Sequence, residues 1–477
     1  MEEYIKKLLE QVRFQKAHKA IGDEIRSHIE DQIEDNISKG MDKETAEKMA
    51  VEDMGDPIGV GIELDRVHRP QIAWSMVIAA LVIAIIGIIV HVCLVRDFND
   101  FYARFYDGMK NNEYIGVEHR FIAGTICGIV AMLLIFFIDY VTVAKYSKVA
   151  GTVLLMWCIC GYLLIEKWGF GHIILSHGSA GNKLTTLAVI WKNALPLMLL
   201  FIPLYPGILY KYRGQSSKGL LKAFLWILVP CCILFLDYEW MQAVILEICM
   251  LVEFTSAIRK GWIRAPKAAS LTTVWSFFAI LPIFVVSFVY KYKPVSKYLL
   301  NYIHGEQSYY YFTGGDIGNL ARMFGKTQAV SDHLRIADRA ITIPFNLLVS
   351  VSGAKGTSIL TYISLSWGIM AGLLVAVIIA GMIALGIKAT SEVKNQLGVV
   401  LGSGCIVFLI INTLIGMFAG FRMITYSNAF FLPFISSNGV IQSYVFLGII
   451  LSIYKYKDIY AEHVDIRIGK KVKGMEY

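Results

Sequence analysis

The chain has 477 residues, of which 56% are hydrophobic and only 17% are charged. Soluble domains average roughly half apolar and about a quarter charged residues, so this composition excludes an ordinary soluble protein and predicts an integral membrane protein. The formal net charge is +8. Because the basic residues are spread over many short loops, this charge gives no support for nucleic-acid binding.

The first 70 residues differ in charge from the rest of the chain. They contain 11 Lys+Arg and 17 Asp+Glu, which leaves 34 and 20 for residues 71–477. Apolar residues at helical spacing end at Gly40, and Asp42 is placed to cap a third helix that ends at Gly55, before Pro57. We predict a cytosolic, acidic three-helix domain over residues 1–70. Its stretch at 50–57 resembles the helical prefix domain of bacterial permease-like proteins.

Ten apolar segments follow, each near the roughly 20 residues needed to span a bilayer. They lie at 72–95, 121–143, 149–165, 185–210, 220–235, 240–258, 271–290, 358–387, 397–419 and 430–454. Lysine and arginine are concentrated in alternate short loops, which predicts that this side is cytosolic. An even number of spans places residues 1–70 and the tail, 458–477, on that same side. The fold class predicted is an all-α polytopic membrane protein, with its membrane domain at 71–457.

A long connection separates the seventh and eighth segments, at residues 291–356 on the predicted outer face. Loops of this length within a compact protein are usually functional or disordered, and the hydrophobicity of this one favours function. It carries eight Lys/Arg against four acids. This excess favours a pocket for an anionic headgroup such as a lipid diphosphate. The alternative is a solvated surface that faces lipid phosphates.

Four short stretches in this chain resemble the motifs of one family, in the same order. The inner loop before the fifth segment resembles Gln-Pro-Ser-Glu-Leu-x-Lys, without its proline and glutamate, and residues 239–243 resemble Asp-Leu-Gly-Thr-Ala. The outer loop contains Gly-Gly and, at 324–326, Phe-Gly-Lys, and residues 432–436 read Leu-Pro-Phe-Ile-Ser. The motif positions are Gln215, Ser217, Lys222, Glu239, Gly314, Gly315, Pro433, Phe434, Ser436 and Gly439. With ten spans and a large outer loop, the chain resembles the SEDS (FtsW/RodA/SpoVE) family of bacterial cell division, shape and sporulation.

The resemblance implies a location in the bacterial cytoplasmic membrane and an activity. Members of the family polymerise lipid II into peptidoglycan glycan strands, with an outer-loop aspartate before the eighth span as the catalytic carboxylate. In this chain the matching position holds Thr342 or Pro344, depending on the alignment, and the nearest acid is Asp338. Asp338 is therefore the candidate general base. Its alternative role is an ion pair with Arg335 or Arg339.

Lipid II, or a related polyprenyl-diphosphate sugar, is the substrate that the resemblance implies. Four cations of the outer loop would hold its diphosphate, namely Arg322, Lys326, Arg335 and Arg339. A single-span transpeptidase is the family's usual partner. The sequence contains no evident cofactor motif and no metal-site spacing. A divalent cation at the diphosphate is compatible with the sequence but is not encoded by a ligand set.

Two other functions remain open on the sequence alone. The changed aspartate motif favours a catalytically inactive relative that acts as a scaffold or regulator in envelope assembly, with residues 1–70 as its cytosolic contact. A lipid or solute transporter is the third interpretation, since ionisable residues within membrane segments mark pathways. The candidates for such a pathway are Asp139, Lys192, Glu247 and Glu253.

Overall fold

The protein is helical throughout the part of the chain that the structure describes. The computed structural model describes residues 1–105, 117–162, 195–236, 240–292, 359–420, 431–437, 439–460, 464 and 466. Within these ranges every regular element is a helix and no strand occurs. The predicted all-α fold class is therefore confirmed.

Residues 1–70 contain four α-helices, one more than the sequence predicted. They are α1 (Glu2–Gln11), α2 (His18–Ser38), α3 (Lys43–Asp53) and α4 (Pro57–His68), with a 3-10 turn at Gln15–Ala17. Ile5, Leu8, Ile21 and Ile29 are buried between these helices. Burial of these side chains from water is the main force that folds the segment.

Two aspartates determine where α3 and α4 begin. The Asp42 carboxylate accepts a hydrogen bond from the backbone N–H of Thr45 at 3.1 Å, as expected of an N-cap. The Asp56 carboxylate accepts one from Gly59 at 2.9 Å, and Pro57 occupies the first turn of α4. Because proline suits the first turn of a helix, Pro57 starts a new helix as well as following α3. The prediction treated it only as the end of a helix and so missed α4.

Eleven further α-helices are described along the rest of the chain. They are α5 (Trp74–Phe105), α6 (Val117–Phe137), α7 (Tyr140–Tyr162), α8 (Phe201–Tyr210), α9 (Ser217–Leu236), α10 (Trp240–Arg259), α11 (Lys267–Tyr292), α12 (Ile359–Trp367), α13 (Ile369–Ser391), α14 (Gln396–Gly420) and α15 (Val440–Lys455). Seven of them are long and apolar enough to cross a bilayer, and further apolar helical stretches lie at Leu197–Tyr210, Lys267–Leu281 and Val440–Lys455. These ten overlap the ten predicted segments, although α7 begins at Tyr140, within the predicted second segment, and α12 is a separate short helix at the start of the eighth. The chain is a multi-pass helical membrane protein.

The helices differ in how deeply they lie within the bundle. In the most apolar 18-residue stretch of each helix, 67% of α10 and 61% of α14 is buried, compared with 22% for both α6 and α7. Phe137, Val153 and Val377 are among the large apolar side chains that point outward. Helices α10 and α14 therefore form the centre, and the outward apolar surface suits contact with lipid.

Glycines allow α15 to approach α6 closely, and α8 to approach α7. A methyl group added at Gly448 of α15 would lie 2.9 Å from the Cα atom of Met132 in α6. One added at Gly207 of α8 would lie 2.7 Å from the Cα atom of Ala144 in α7. Small residues at such crossings are the usual way in which membrane helices gain packing contacts.

Hydrogen bonds join several connecting segments at one end of the bundle, which we call the loop end. The Lys211 ammonium donates to the backbone carbonyl of Lys145 at 2.7 Å, and Gly214 donates to the carbonyl of Trp262 at 2.8 Å. These connections carry the basic residues that predicted the cytosolic side. The side of the membrane that this end faces, and the division into domains at residues 70 and 457, stay predictions.

Candidate functional site

The predicted outer-loop site lies outside the described residues. This is true of the candidate base, the four predicted cations, the glycine pair and the acid of the outer hairpin, as well as one pathway candidate. They are Asp338, Arg322, Lys326, Arg335, Arg339, Gly314, Gly315, Glu239 and Lys192. Their assignments stay predictions, and the site that the structure describes is made of other residues.

The Leu-Pro-Phe-Ile-Ser stretch forms a buried turn immediately before α15. Phe434 has a φ of 67°, in the left-handed region that residues other than glycine rarely adopt. The hydroxyl of Ser436 accepts a hydrogen bond from the backbone N–H of Leu432 at 2.8 Å, and that of Ser443 accepts one from Phe434 at 3.2 Å. The two hydroxyls thus satisfy backbone donors that a buried turn would otherwise leave without partners.

Packing holds this turn between α15 and the helices beside it. The rings of Phe434 and Tyr444 meet edge to face, with centroids 5.3 Å apart, and the Tyr444 hydroxyl donates to the carbonyl of Ala80 in α5 at 3.1 Å. Gly439 lies against the Phe431 ring, where any side chain would overlap it. The motif positions at 434, 436 and 439 therefore fix the position of α15.

The inner-loop motif lies at the loop end. The carbonyl of Gln215 accepts a hydrogen bond from the backbone N–H of Arg264 at 2.9 Å, and Ser217 is the first residue of α9. The Lys222 ammonium lies 5.7 Å from the centroid of the Tyr212 ring. The glutamine and serine thus shape the connection between α8 and α9, whereas Lys222 adds positive charge beside an aromatic ring.

Asp139 lies between α6 and α7 and is bound by three donors. Its Oδ1 atom accepts a hydrogen bond from the backbone N–H of Val141 at 2.9 Å, which caps α7. Its Oδ2 atom accepts one from the Lys16 ammonium at 2.9 Å and another from the Tyr460 hydroxyl. The carboxylate is only 7% exposed. These contacts give Asp139 an architectural role at the start of α7. The sequence had made it a candidate residue of a transport pathway within the membrane.

Aromatic rings enclose this contact, and together with Asp139 and Lys16 they form what we call the Asp139 junction. The Lys16 ammonium lies 5.5 Å from the centroid of the Tyr456 ring, and the Tyr140 and Tyr460 rings meet edge to face at 5.7 Å. Burial, followed by the hydrogen bond to Asp139, raises the pKa of Tyr460. The Tyr460 hydroxyl therefore keeps its proton and remains a donor at neutral pH.

Sequence reasoning identified Asp139 but missed its partners. Lys16 is 123 residues before it and Tyr460 is 321 residues after it, so no local pattern connects them. The available signals were the aspartate immediately before α7, in a capping position, and three tyrosines close together at 454, 456 and 460. The prediction placed the second segment through residue 143, and Asp139 was therefore taken as part of a span.

Helix α10 carries two acids into the centre of the bundle. Glu253 is fully buried and Glu247 is 5% exposed. Neither oxygen of Glu253, nor Oε2 of Glu247, has a hydrogen-bond partner among the residues that the structure describes. The Glu253 carboxyl group packs against Gly404 of α14, where an added methyl group would overlap it. Burial without a partner is costly for such a group, which makes Glu253 the strongest polar anomaly in the described helices.

The N-terminal helices have a shallow groove of about 510 Å³ between α1 and α2. Its formal charges cancel, because three acids and three basic residues line it, and Arg26 of α2 pairs with Glu2 of α1 across the groove. Within the described ranges, no group of three or more histidine, cysteine or acidic residues is arranged to hold a metal ion. Neither observation identifies a ligand.

Comparison with known proteins shows a likeness in fold. No family model matches the chain, and no curated protein matches it. Among solved structures, it superposes with a TM-score of 0.53 on a chain from the structure of a peptidoglycan synthase complex that coordinates polymerization and crosslinking. The alignment covers 81% of this chain and 99% of that chain, at 12% sequence identity. At this identity the likeness establishes a shared fold, on which the function proposed below is built.

Proposed function

We propose that the chain is a SEDS-type membrane protein of bacterial cell-envelope assembly. The observation that carries the proposal is the fold likeness to a chain of a peptidoglycan synthase complex, which extends over 99% of that chain. The turn at residues 432–436 gives separate support, since the stretch that resembles the family motif is one buried, hydrogen-bonded unit. Cell division, elongation and sporulation are the processes in which such a protein would act.

In the catalytic form of the proposal, the outer loop polymerises lipid II. Asp338 would accept a proton from the acceptor sugar hydroxyl as that oxygen attacks the anomeric carbon of the donor. The bond from that carbon to the diphosphate breaks, and polyprenyl diphosphate leaves. Cations are needed to stabilise the departing charge, a role for which the loop offers Arg322, Lys326, Arg335 and Arg339.

A second candidate is an inactive relative that acts as a scaffold, and a specific observation favours it. The position of the family's catalytic aspartate holds Thr342 or Pro344, and neither side chain serves as a general base at neutral pH. In this form the N-terminal helices, held to the loop end through Lys16 and Asp139, would present a fixed surface to a cytosolic partner.

Lipid II polymerisation by the purified protein in proteoliposomes distinguishes the two forms. The wild type is compared with Asp338→Ala and with Asp332→Ala, a matched loss of an acid six residues earlier in the same loop. A polymerase that uses Asp338 makes glycan strands with the wild type and the Asp332 variant, and loses activity by at least about 100-fold with the Asp338 variant.

Absence of product from all three proteins, both alone and with a single-span transpeptidase added, would reject the catalytic form and leave the scaffold. Equal activity of all three would keep the polymerase and reject Asp338 as its base. Thermal unfolding of each variant in the same lipid confirms that a loss of product is not a loss of fold.

A further inference from the structure

The strongest unassigned feature is a group of cations at the loop end, between α7 and α9. Helices α7, α8 and α9 and the connection between α8 and α9 contain no aspartate or glutamate, yet they carry six basic side chains. These are Lys145, Lys148, Lys211, Arg213, Lys218 and Lys222. None of them forms an ion pair with an acid among the described residues. The cluster therefore has a net positive charge that the described part of the protein does not neutralise.

Two of these cations lie over one ring. The ammonium groups of Lys148 and Lys222 lie 5.9 and 5.7 Å from the centroid of Tyr212. The Tyr212 ring is buried, and its hydroxyl accepts a hydrogen bond from the Trp226 indole at 3.0 Å. Lys211 immediately precedes Tyr212 in the chain, and burial, and then the charge of Lys148, lowers its pKa.

Such convergence differs from the arrangement of ordinary solvated lysines. Like charges on a free surface separate to reduce their repulsion. Here Tyr212 is fixed by its contact with Trp226, and Lys211 is fixed by its hydrogen bond to the Lys145 carbonyl at 2.7 Å. The fold thus holds Tyr212 and Lys211 in place while the exposed Lys148 and Lys222 approach the same ring, an arrangement that an anion would stabilise.

Apolar surface extends from these cations along the two helices. On α7, Val149 and Val153 are 55% and 63% exposed, and on α9, Leu221 and Leu225 are 60% and 44% exposed. Lys148 and Lys222 directly adjoin these strips in the sequence. A ligand that fits both features has an anionic head and long hydrocarbon chains, which is the chemistry of an anionic phospholipid.

We infer that Lys148 and Lys222 beside the Tyr212 ring, with Lys211 adjacent in the chain, form a binding site for the headgroup phosphate of an anionic phospholipid, with the acyl chains along the exposed faces of α7 and α9. The site is on the predicted cytosolic side of the membrane and so belongs to the inner leaflet. It does not depend on the function proposed above, because its residues are at the opposite end of the spans from the predicted outer loop.

Native mass spectrometry tests the site by measuring lipid affinity directly. The full chain in detergent is titrated with phosphatidylglycerol or with phosphatidylcholine. We expect phosphatidylglycerol to bind the wild type more tightly, and Lys148→Gln/Lys222→Gln to lose about tenfold in phosphatidylglycerol affinity with no change for phosphatidylcholine. Both lysines are exposed, so the variant is expected to fold, which thermal unfolding in phosphatidylcholine checks.

The matched control is Lys260→Gln/Lys267→Gln, which removes the same charge from another connection at the loop end and should retain wild-type affinity. The arginine pair Lys148→Arg/Lys222→Arg should also retain it, since the charge is kept. An equal loss in the control pair would show that net charge alone attracts the lipid and would overturn the site. Equal affinity of the wild type for the two lipids would also overturn it.

Discussion

The loop end and the centre of the bundle differ in whether their buried carboxyl groups are hydrogen-bonded. At the loop end, the buried carboxylate of Asp139 is bound by a backbone amide, an ammonium and a phenol. In the centre, both oxygens of Glu253 lack a partner among the described residues. Specific polar pairing therefore joins the segments at the loop end, whereas close helix packing holds the centre together.

The largest effect is expected from removing the paired carboxylate. Asp139→Ala would leave Lys16 and Tyr460 without their acceptor and remove the cap of α7, and we expect it to destabilise the protein by about 3 kcal/mol. Asp139→Asn keeps a capping oxygen and should cost less than half as much. Unfolding in lipid nanodiscs measures both, and a loss under about 1 kcal/mol for Asp139→Ala would refute the pairing argument.

Close packing can be tested at Gly448. A methyl group there would lie 2.9 Å from the backbone of Met132, so Gly448→Ala should push α15 away from α6 and cost about 2 kcal/mol. The matched control is Gly381→Ala, because nothing lies within 4 Å of a methyl group at that position. It should leave stability unchanged or raise it by up to about 1 kcal/mol. Equal effects of the two changes in thermal unfolding would reject close packing as the cause.

Replacing the unpaired acid should have the opposite sign. Glu253→Met keeps the side-chain volume and removes a buried group that has no partner, so we expect a gain of about 1 kcal/mol in the free energy of unfolding. Glu52→Met on the exposed surface of α3 serves as the control and should change it by less than about 0.5 kcal/mol. If Glu253→Met lowers the thermal stability instead, the carboxyl group has a stabilising partner and the contrast between the two regions fails.

The smallest effect concerns the ion pair between Arg13 and Asp65 in the N-terminal helices. The Arg13 side chain and backbone both donate to the carboxylate, which lowers the pKa of Asp65. The pair therefore stabilises the fold fully above about pH 4, the ordinary value for aspartate, and the contribution is lost as the pH falls through the lower folded value. Since Arg13 is largely exposed, the gain is at most about 1 kcal/mol.

Thermal unfolding of the wild type and of Asp65→Asn, at pH 6 and again below pH 4, measures this contribution. The wild type should be the more stable at pH 6, and the difference should shrink in acid. Asp23→Asn, which disrupts an exposed pair with Arg26, is the control and should show almost no difference at either pH. A difference that grows in acid would contradict the sign derived from Asp65.

Much of the fold was predictable because hydropathy directly reflects the solvent around a helix. The ten apolar segments all contain helices, and Asp42 caps α3 as its position indicated. Two helix boundaries were missed at residues that are compatible with two structural roles. Pro57 both follows α3 and starts α4, and Asp139 was taken for a residue within a span because it is surrounded by apolar ones. Propensity alone does not distinguish these cases, since tertiary contacts decide them.

The described site was less predictable than the fold. The motif at 432–436 was recognised as important, but its role as a buried turn depends on the hydroxyls of Ser436 and Ser443 and on a left-handed Phe434. The convergence of Lys148 and Lys222 on Tyr212 joins residues from two helices. Charge patterning places such lysines on one side of the membrane but cannot show that both ammonium groups lie near the same tyrosine ring.

The Asp139 junction has a consequence for how the protein is made. Tyr460 follows Asp139 by 321 residues, and at about 5–20 residues per second the ribosome needs on the order of half a minute to synthesise that interval. During this time Lys16 and Tyr140 lack the aromatic residues that later cover them. The junction closes only after α15 and Tyr460 have been synthesised. A chain stalled before that point would leave Asp139 without its phenol donor.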